Sequence, residues 1–230
     1  PALVVAVLSL FLLKEKPEKG FEGDVIGGGG SVGLYYGMVL RDLRIWFLCF
    51  ATFGGCAVLW GALTWIPTYL VKFVNLTDVY AGSISSLIAL TGIAATPFSG
   101  FAADRILKKR SPIIFLGAFA AGLACILFSF LMPTELYPAV ALFIPILFFS
   151  TMWWIGPSLL SEWLPLYVMG TASGFLNFVT MIGAVLGPFV FGFILDQTGS
   201  FSFGWFVLGC VATLLALPML SVMFKELRKS

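Results

Sequence analysis

Ser99-Gly100-Phe101-Ala102-Ala103-Asp104-Arg105-Ile106-Leu107-Lys108-Lys109-Arg110-Ser111-Pro112 decides how the rest of the chain is laid out. Four cations, Arg105, Lys108, Lys109 and Arg110, crowd together here, and a long apolar run flanks the stretch on each side. Charge at that density does not rest in hydrocarbon, whereas about 20 apolar residues cross it as a helix. The stretch therefore reads as a tight turn at a membrane face.

Composition points the same way. Of 230 residues, 60% are hydrophobic and 10% charged, with a mean hydropathy of +1.05; in a soluble chain charged residues alone make up about a quarter. The net charge of +2 suggests no nucleic-acid partner, because the cations sit at the ends of apolar runs, where topology requires them. Cys49, Cys56, Cys125 and Cys210 lie inside apolar runs without paired spacing and read as small buried hydrophobes. With no histidine anywhere, metal and haem sites lose their commonest ligand. No cofactor and no enzymatic activity is expected.

Working outward from the turn, the apolar runs are 45–71, 79–103, 113–132, 139–160, 168–195 and 201–224, each long enough for a spanning helix. Residues 1–13 are apolar but too short to span, and read as the end of a truncated transmembrane helix. Residues 14–44, mixed in charge and rich in glycine, read as a linker, and 225–230 as a polar tail. Assigning the connections alternately to two sides places twelve of the thirteen basic residues together and leaves Lys72 alone opposite. The expectation is an all-α, multi-pass protein of the cell membrane, with linker, basic turn and tail cytoplasmic.

The spans differ in polarity. The third and sixth carry few polar side chains and suit a lipid-facing position, whereas the first, second, fourth and fifth hold most of the Ser, Thr, Asn, Trp and Pro. In the first, Cys56, Trp60, Thr64 and Pro67 share a face, and Trp65 and Tyr69 an adjoining one; that aromatic surface is either a cavity wall or a kinked packing face. Trp153 belongs to the fourth span. In the fifth, Gly183-x-x-x-Gly187 reads as close helix packing, while Asn177, with Ser173 and Thr180 on its face, either reaches a ligand or bonds another helix. The candidate cavity lining is therefore Trp60, Thr64, Trp65, Tyr69, Trp153 and Asn177. No Asp, Glu, Lys or Arg lies near the centre of any whole span.

Six spans, a central linker and Gly100-x-x-x-Asp104-Arg105-x-x-x-x-Arg110 after the second whole span together resemble the C-terminal half of a major facilitator superfamily transporter. In that family a turn of this type recurs, in weaker form, between spans eight and nine; here Ile106-Leu107 stands where a glycine is usual. Gly170-Thr171-Ala172-Ser173-Gly174 and Asp196-x-Thr198-Gly199 are similar to the borders of the family's eleventh helix, and Trp65 to Leu70 faintly resembles organic-anion and sugar-phosphate carriers. The resemblance implies alternating access for a small solute, an organic anion among the candidates. It also implies a coupling ion as a further partner, a lipid bilayer around the chain, and a missing N-terminal half. Gly100, Asp104, Arg105, Arg110 and Glu162 would form a conformational latch, with Gly100 permitting close helix approach and Glu162 pairing with Arg105 or Arg110. The rival readings are a charge cluster that only sets topology, and a non-transporting polytopic receptor or assembly factor.

Overall fold

The computed structural model describes residues 32–228; the expected helix end at 1–13, most of the linker and Lys229 lie outside them. In chain order the helices are α1 (Val32–Arg41), α2 (Leu43–Lys72), α3 (Asp78–Phe101) continued by a π-helical turn (Ala102–Ile106), and α4 (Ser111–Leu131). They continue with α5 (Leu136–Ser150), a 3-10 turn (Met152–Ile155), α6 (Gly156–Trp163), α7 (Leu166–Thr198), α8 (Phe201–Ala216) and α9 (Met219–Leu227). With α3 and its π turn, α5–α6 and α8–α9 each forming one stretch, six helical stretches are long and apolar enough to cross a membrane. They overlap the six apolar runs, so the chain is an all-α helix bundle.

Local chemistry sets the boundaries. Asp42 caps α2 by accepting the Arg44 backbone N–H at 2.9 Å. Pro112 opens α4 at a position where its missing N–H costs nothing. Gly199, at φ 67°, ends α7 in the left-handed conformation that glycine adopts without strain. The fourth span breaks where Thr151 precedes a 3-10 turn and Gly156-Pro157 restarts the helix.

Helix α2 is the axis of the bundle: 72% of its apolar window is buried by the rest of the described chain, against 22% for α7 and 17% for α3. Glycines bring α7 onto it. A Cβ at Gly183 would lie 2.5 Å from the Phe53 carbonyl oxygen, and one at Gly187 2.3 Å from that of Ala57. The two backbones therefore touch, as small residues four apart allow. Beside the seam, the Thr52 and Thr180 hydroxyls share a buried hydrogen bond of 2.8 Å.

A second glycine contact joins α4 to α8: Gly122 and Gly209 abut, and a Cβ at Gly209 would stand 2.6 Å from the Gly122 carbonyl oxygen. This contact helps bury 56% of the α4 apolar window and leaves the rest uncovered, as a helix with one face on the bundle and the other toward lipid would have it. Close packing between helices needs small side chains rather than polar ones.

At the end opposite the basic turn, aromatic rings fill the core. Tyr69 is fully buried among Phe73, Phe128, Phe143 and Phe201, with ring centroids 4.9 to 6.2 Å apart, and its hydroxyl donates to the Pro133 carbonyl at 2.7 Å. Trp205 packs against Phe128 and Phe191 in the same cluster.

Candidate functional site

Two places in the bundle gather polar chemistry. The first is the basic turn. Here the α-helical ladder loosens into a π turn, with the Leu107 N–H reaching back to the Ala102 carbonyl at 2.9 Å, so that Asp104 and Arg105 sit on a widened coil. Lys108 follows at φ 53°, an uncommon conformation for a residue with a side chain, and reverses the chain into α4.

Arg110, half-buried at the start of α4, collects three acceptors. Its guanidinium pairs with Glu162 of α6, approaches the Asp104 carboxylate at 3.5 Å and donates to the Ser158 carbonyl at 3.3 Å. The planar fork of arginine is suited to such multiple engagement. Arg110 thus ties the α3–α4 turn to the end of the fourth span. Arg105 is exposed and stands outside this triad, and Asp104, 64% exposed along its side chain, meets Arg110 and no helix N-terminus among the described residues. A Cβ at Gly100 would meet nothing within 4 Å, so the close approach expected there is absent among the described residues.

A second carboxylate at this end went unnoticed in the sequence. Glu226 of α9 accepts the Ser111 hydroxyl and, at 3.1 Å, the Trp163 indole N–H, joining three spans. Nothing local to Glu226 marks it; only the fold brings Ser111 and Trp163 to it. Nearby, Asp42 binds Arg44 through three side-chain hydrogen bonds and a backbone N–H. Burial pushes the Asp42 carboxyl up, but Arg44 outweighs it and holds its pKa below the usual carboxylate value.

The second place is the poorly covered surface of α3 and α7 with the adjoining edge of α2. Asn177 is exposed and has no hydrogen-bond partner among the described residues. Thr64 is exposed, its hydroxyl turned back to the Trp60 carbonyl at 2.8 Å, and Trp60 itself is 46% exposed. A cavity of about 290 Å³ between α2, α3 and the broken fourth span is lined by Leu63, Gly92, Thr96, Thr151 and Trp154. Trp154, 52% exposed, stacks on Trp153 at a centroid distance of 4.4 Å; the buried Trp153 indole N–H finds no acceptor among the described residues. The Trp153-Trp154 pair was visible in the sequence, but only the 3-10 turn turns the second ring outward.

The structure thus divides the expected cavity lining. Trp60, Thr64 and Asn177 lie on uncovered surface, and Trp153 backs it. Tyr69 is a core residue, walled in by four phenylalanines, and Trp65 belongs to the α2–α7 seam, stacked on Phe191 with its indole N–H donating to the Pro188 carbonyl at 3.1 Å. Both were expected to line a cavity; rings from α4, α5 and α8, remote in sequence, enclose Tyr69 instead, whereas Trp65 is partly buried, packed on rings of α7 and α8.

Comparison with known proteins adds the family. The model of the Major Facilitator Superfamily matches residues 1–179. The chain is similar to the hexuronate transporter of Bacillus subtilis (strain 168), with 25% identity over 229 residues covering 95% of this chain and 54% of that protein. It is also similar to a probable sulfoacetate transporter of Cupriavidus necator, with 24% identity covering 78% of this chain and 44% of that one. A probable galactarate/D-glucarate transporter of Bacillus subtilis (strain 168) is 28% identical over 61% of this chain and 32% of its own length. The chain spans about half the length of the first two relatives (54% and 44%). With its family match reaching across most of six apolar helices, the chain belongs to the major facilitator superfamily.

Proposed function

We propose that the chain is the C-terminal half of a secondary transporter that moves a small organic anion across the cell membrane by alternating access, with linker and tail on the cytoplasmic side. One observation carries this reading: Asn177 and Thr96 are exposed on helices that the described chain leaves largely uncovered, and Trp60 and Thr64 are exposed on the adjoining edge of α2. Within a bilayer such groups need partners, so this surface faces a water-filled pathway and a second helical bundle rather than lipid. Relatives named for hexuronate, sulfoacetate and galactarate/D-glucarate transport support a carboxylate- or sulfonate-bearing substrate.

In this mechanism Asn177 offers an amide to substrate oxygens, while Thr64 and Thr96 donate only after their hydroxyls turn away from the Trp60 and Gly92 carbonyls. Trp60 and Trp154 present apolar ring faces. Neutral donors recognise an anion weakly, so the full counter-charge comes from the other half of the pathway. Any coupling ion is held there too, because Asp42, Asp78, Asp104, Glu135, Glu162, Asp196 and Glu226 lie toward the helix ends or in the connections between spans. The Arg110 clasp closes the basic end in one state and parts in the other.

Uptake of radiolabelled hexuronate or glucarate into vesicles holding the complete transporter tests the reading. Asn177→Ala is expected to reduce uptake at least tenfold without loss of inserted protein. Absence of flux for every sugar acid and sulfonate tried, from well-folded protein, would favour the rival of a non-transporting membrane protein.

A further inference from the structure

A cavity of about 610 Å³ opens at the basic end between the start of α2 and the ends of α6 and α9. Its charges are unevenly engaged. Glu162 is taken by Arg110, Glu226 by Ser111 and Trp163, and Arg44 by Asp42. Lys109, Lys225 and Arg228 line the same cavity and enter no ion pair among the described residues. Ser111 and Trp163 are neutral donors, so Glu226 keeps its negative charge, but three unpaired cations outnumber it and the space is net positive.

The floor is apolar. Leu43, 66% exposed, opens α2; Phe47 lies one turn further into that helix, and the buried Val222 backs the cavity. Trp163, with the Arg44 guanidinium 5.4 Å from its ring centroid, sits where an indole marks the boundary between hydrocarbon and headgroups. Free cations above and bare apolar side chains below, at the edge of a membrane bundle, match a molecule that is anionic at one end and apolar at the other. A soluble anion would leave the apolar floor unfilled.

We propose that this cavity binds the phosphate of an anionic phospholipid, held by Lys109, Lys225 and Arg228, with the acyl chains running down past Leu43 and Phe47. The site is separate from the transport pathway and does not depend on whether the chain transports. Lys109 adjoins Arg110, so an occupied site places a phosphate next to the clasp.

The test is native mass spectrometry of the purified, delipidated protein titrated with phosphatidylglycerol or phosphatidylcholine. Phosphatidylglycerol is expected to bind at least tenfold more tightly. At about fivefold per cation, K109Q/K225Q/R228Q should lower that affinity roughly a hundredfold. The charge-conserving K109R/K225R/R228K should restore it, and Lys72→Gln, at the opposite end, should leave it unchanged. R228Q alone, expected to lose about fivefold, serves if the triple variant does not stay monodisperse. Equal binding of the two lipids, or undiminished binding by a folded neutralised variant, overturns the proposal. Displacement of phosphatidylglycerol by low-millimolar glycerol 1-phosphate also overturns it, since the site would then belong to a soluble phosphate.

Discussion

The α2–α7 seam and the Arg110 clasp both hold helices together, but by opposite means. In the seam, Gly183 and Gly187 set backbone against backbone, with Thr52 and Thr180 sharing a hydrogen bond out of reach of water. At the clasp, Arg110 reaches Asp104 and Glu162 through long side chains that stay partly solvated, where ion pairs contribute about 0–1 kcal/mol and weaken with salt. A seam of touching backbones has no intermediate state, whereas a solvated ion pair is made and broken at little cost. The seam is therefore costly to open, and the clasp, under the proposed function, is cheap to release.

The sharpest way to break this contrast is to force the seam apart. Gly187→Leu would drive a side chain into the Ala57 carbonyl, so a loss of more than about 3 kcal/mol is expected, visible as failure to recover monodisperse protein. A well-behaved Gly187→Leu protein would mean that the seam is not fixed. Next, Tyr69→Phe removes the hydroxyl bonded to Pro133 and leaves that carbonyl without its donor, expected to cost about 1–2 kcal/mol in thermal unfolding with transport little changed.

Asp42→Ala should cost about 1 kcal/mol through loss of the α2 cap. The sign with pH follows from the lowered Asp42 pKa. The cap's contribution is complete above the ordinary carboxylate value of about 4 and is lost as pH falls through the lower folded value. The smallest effect on stability belongs to the clasp. Arg110→Gln and Asp104→Asn are expected to shift unfolding by less than about 1 kcal/mol, yet to slow transport severalfold. If either destabilises the protein as much as Gly187→Leu, the clasp is a structural bolt; if transport is unchanged, it has no part in the cycle.

Much of this was legible in the sequence where the signal is local. The six apolar runs follow from bilayer thickness, and the Gly183–Gly187 seam from the spacing of small residues. Asn177 stood out because a lone amide in an apolar run needs an explanation. What escaped reading depended on distant partners. Tyr69 resembles a cavity aromatic until Phe128, Phe143 and Phe201 arrive from other spans, and Glu226 is an ordinary tail carboxylate until Ser111 and Trp163 reach it. The break at Met152–Ile155 was half legible: Gly156-Pro157 announces it, but an unbroken reading of 139–160 satisfied the length criterion equally well.

That break has a mechanical consequence for Glu162, which rides on α6 just beyond it. A 3-10 coil advances about 120° and 2.0 Å per residue, an α-helix about 100° and 1.5 Å. Rewinding the four residues Met152–Ile155 into α-helix would therefore swing α6 through roughly 80° about its axis and draw it in by about 2 Å. Such a crank would carry the Glu162 carboxylate off Arg110 without moving α5, so this ion pair is mechanically coupled to the pitch of one turn of one helix.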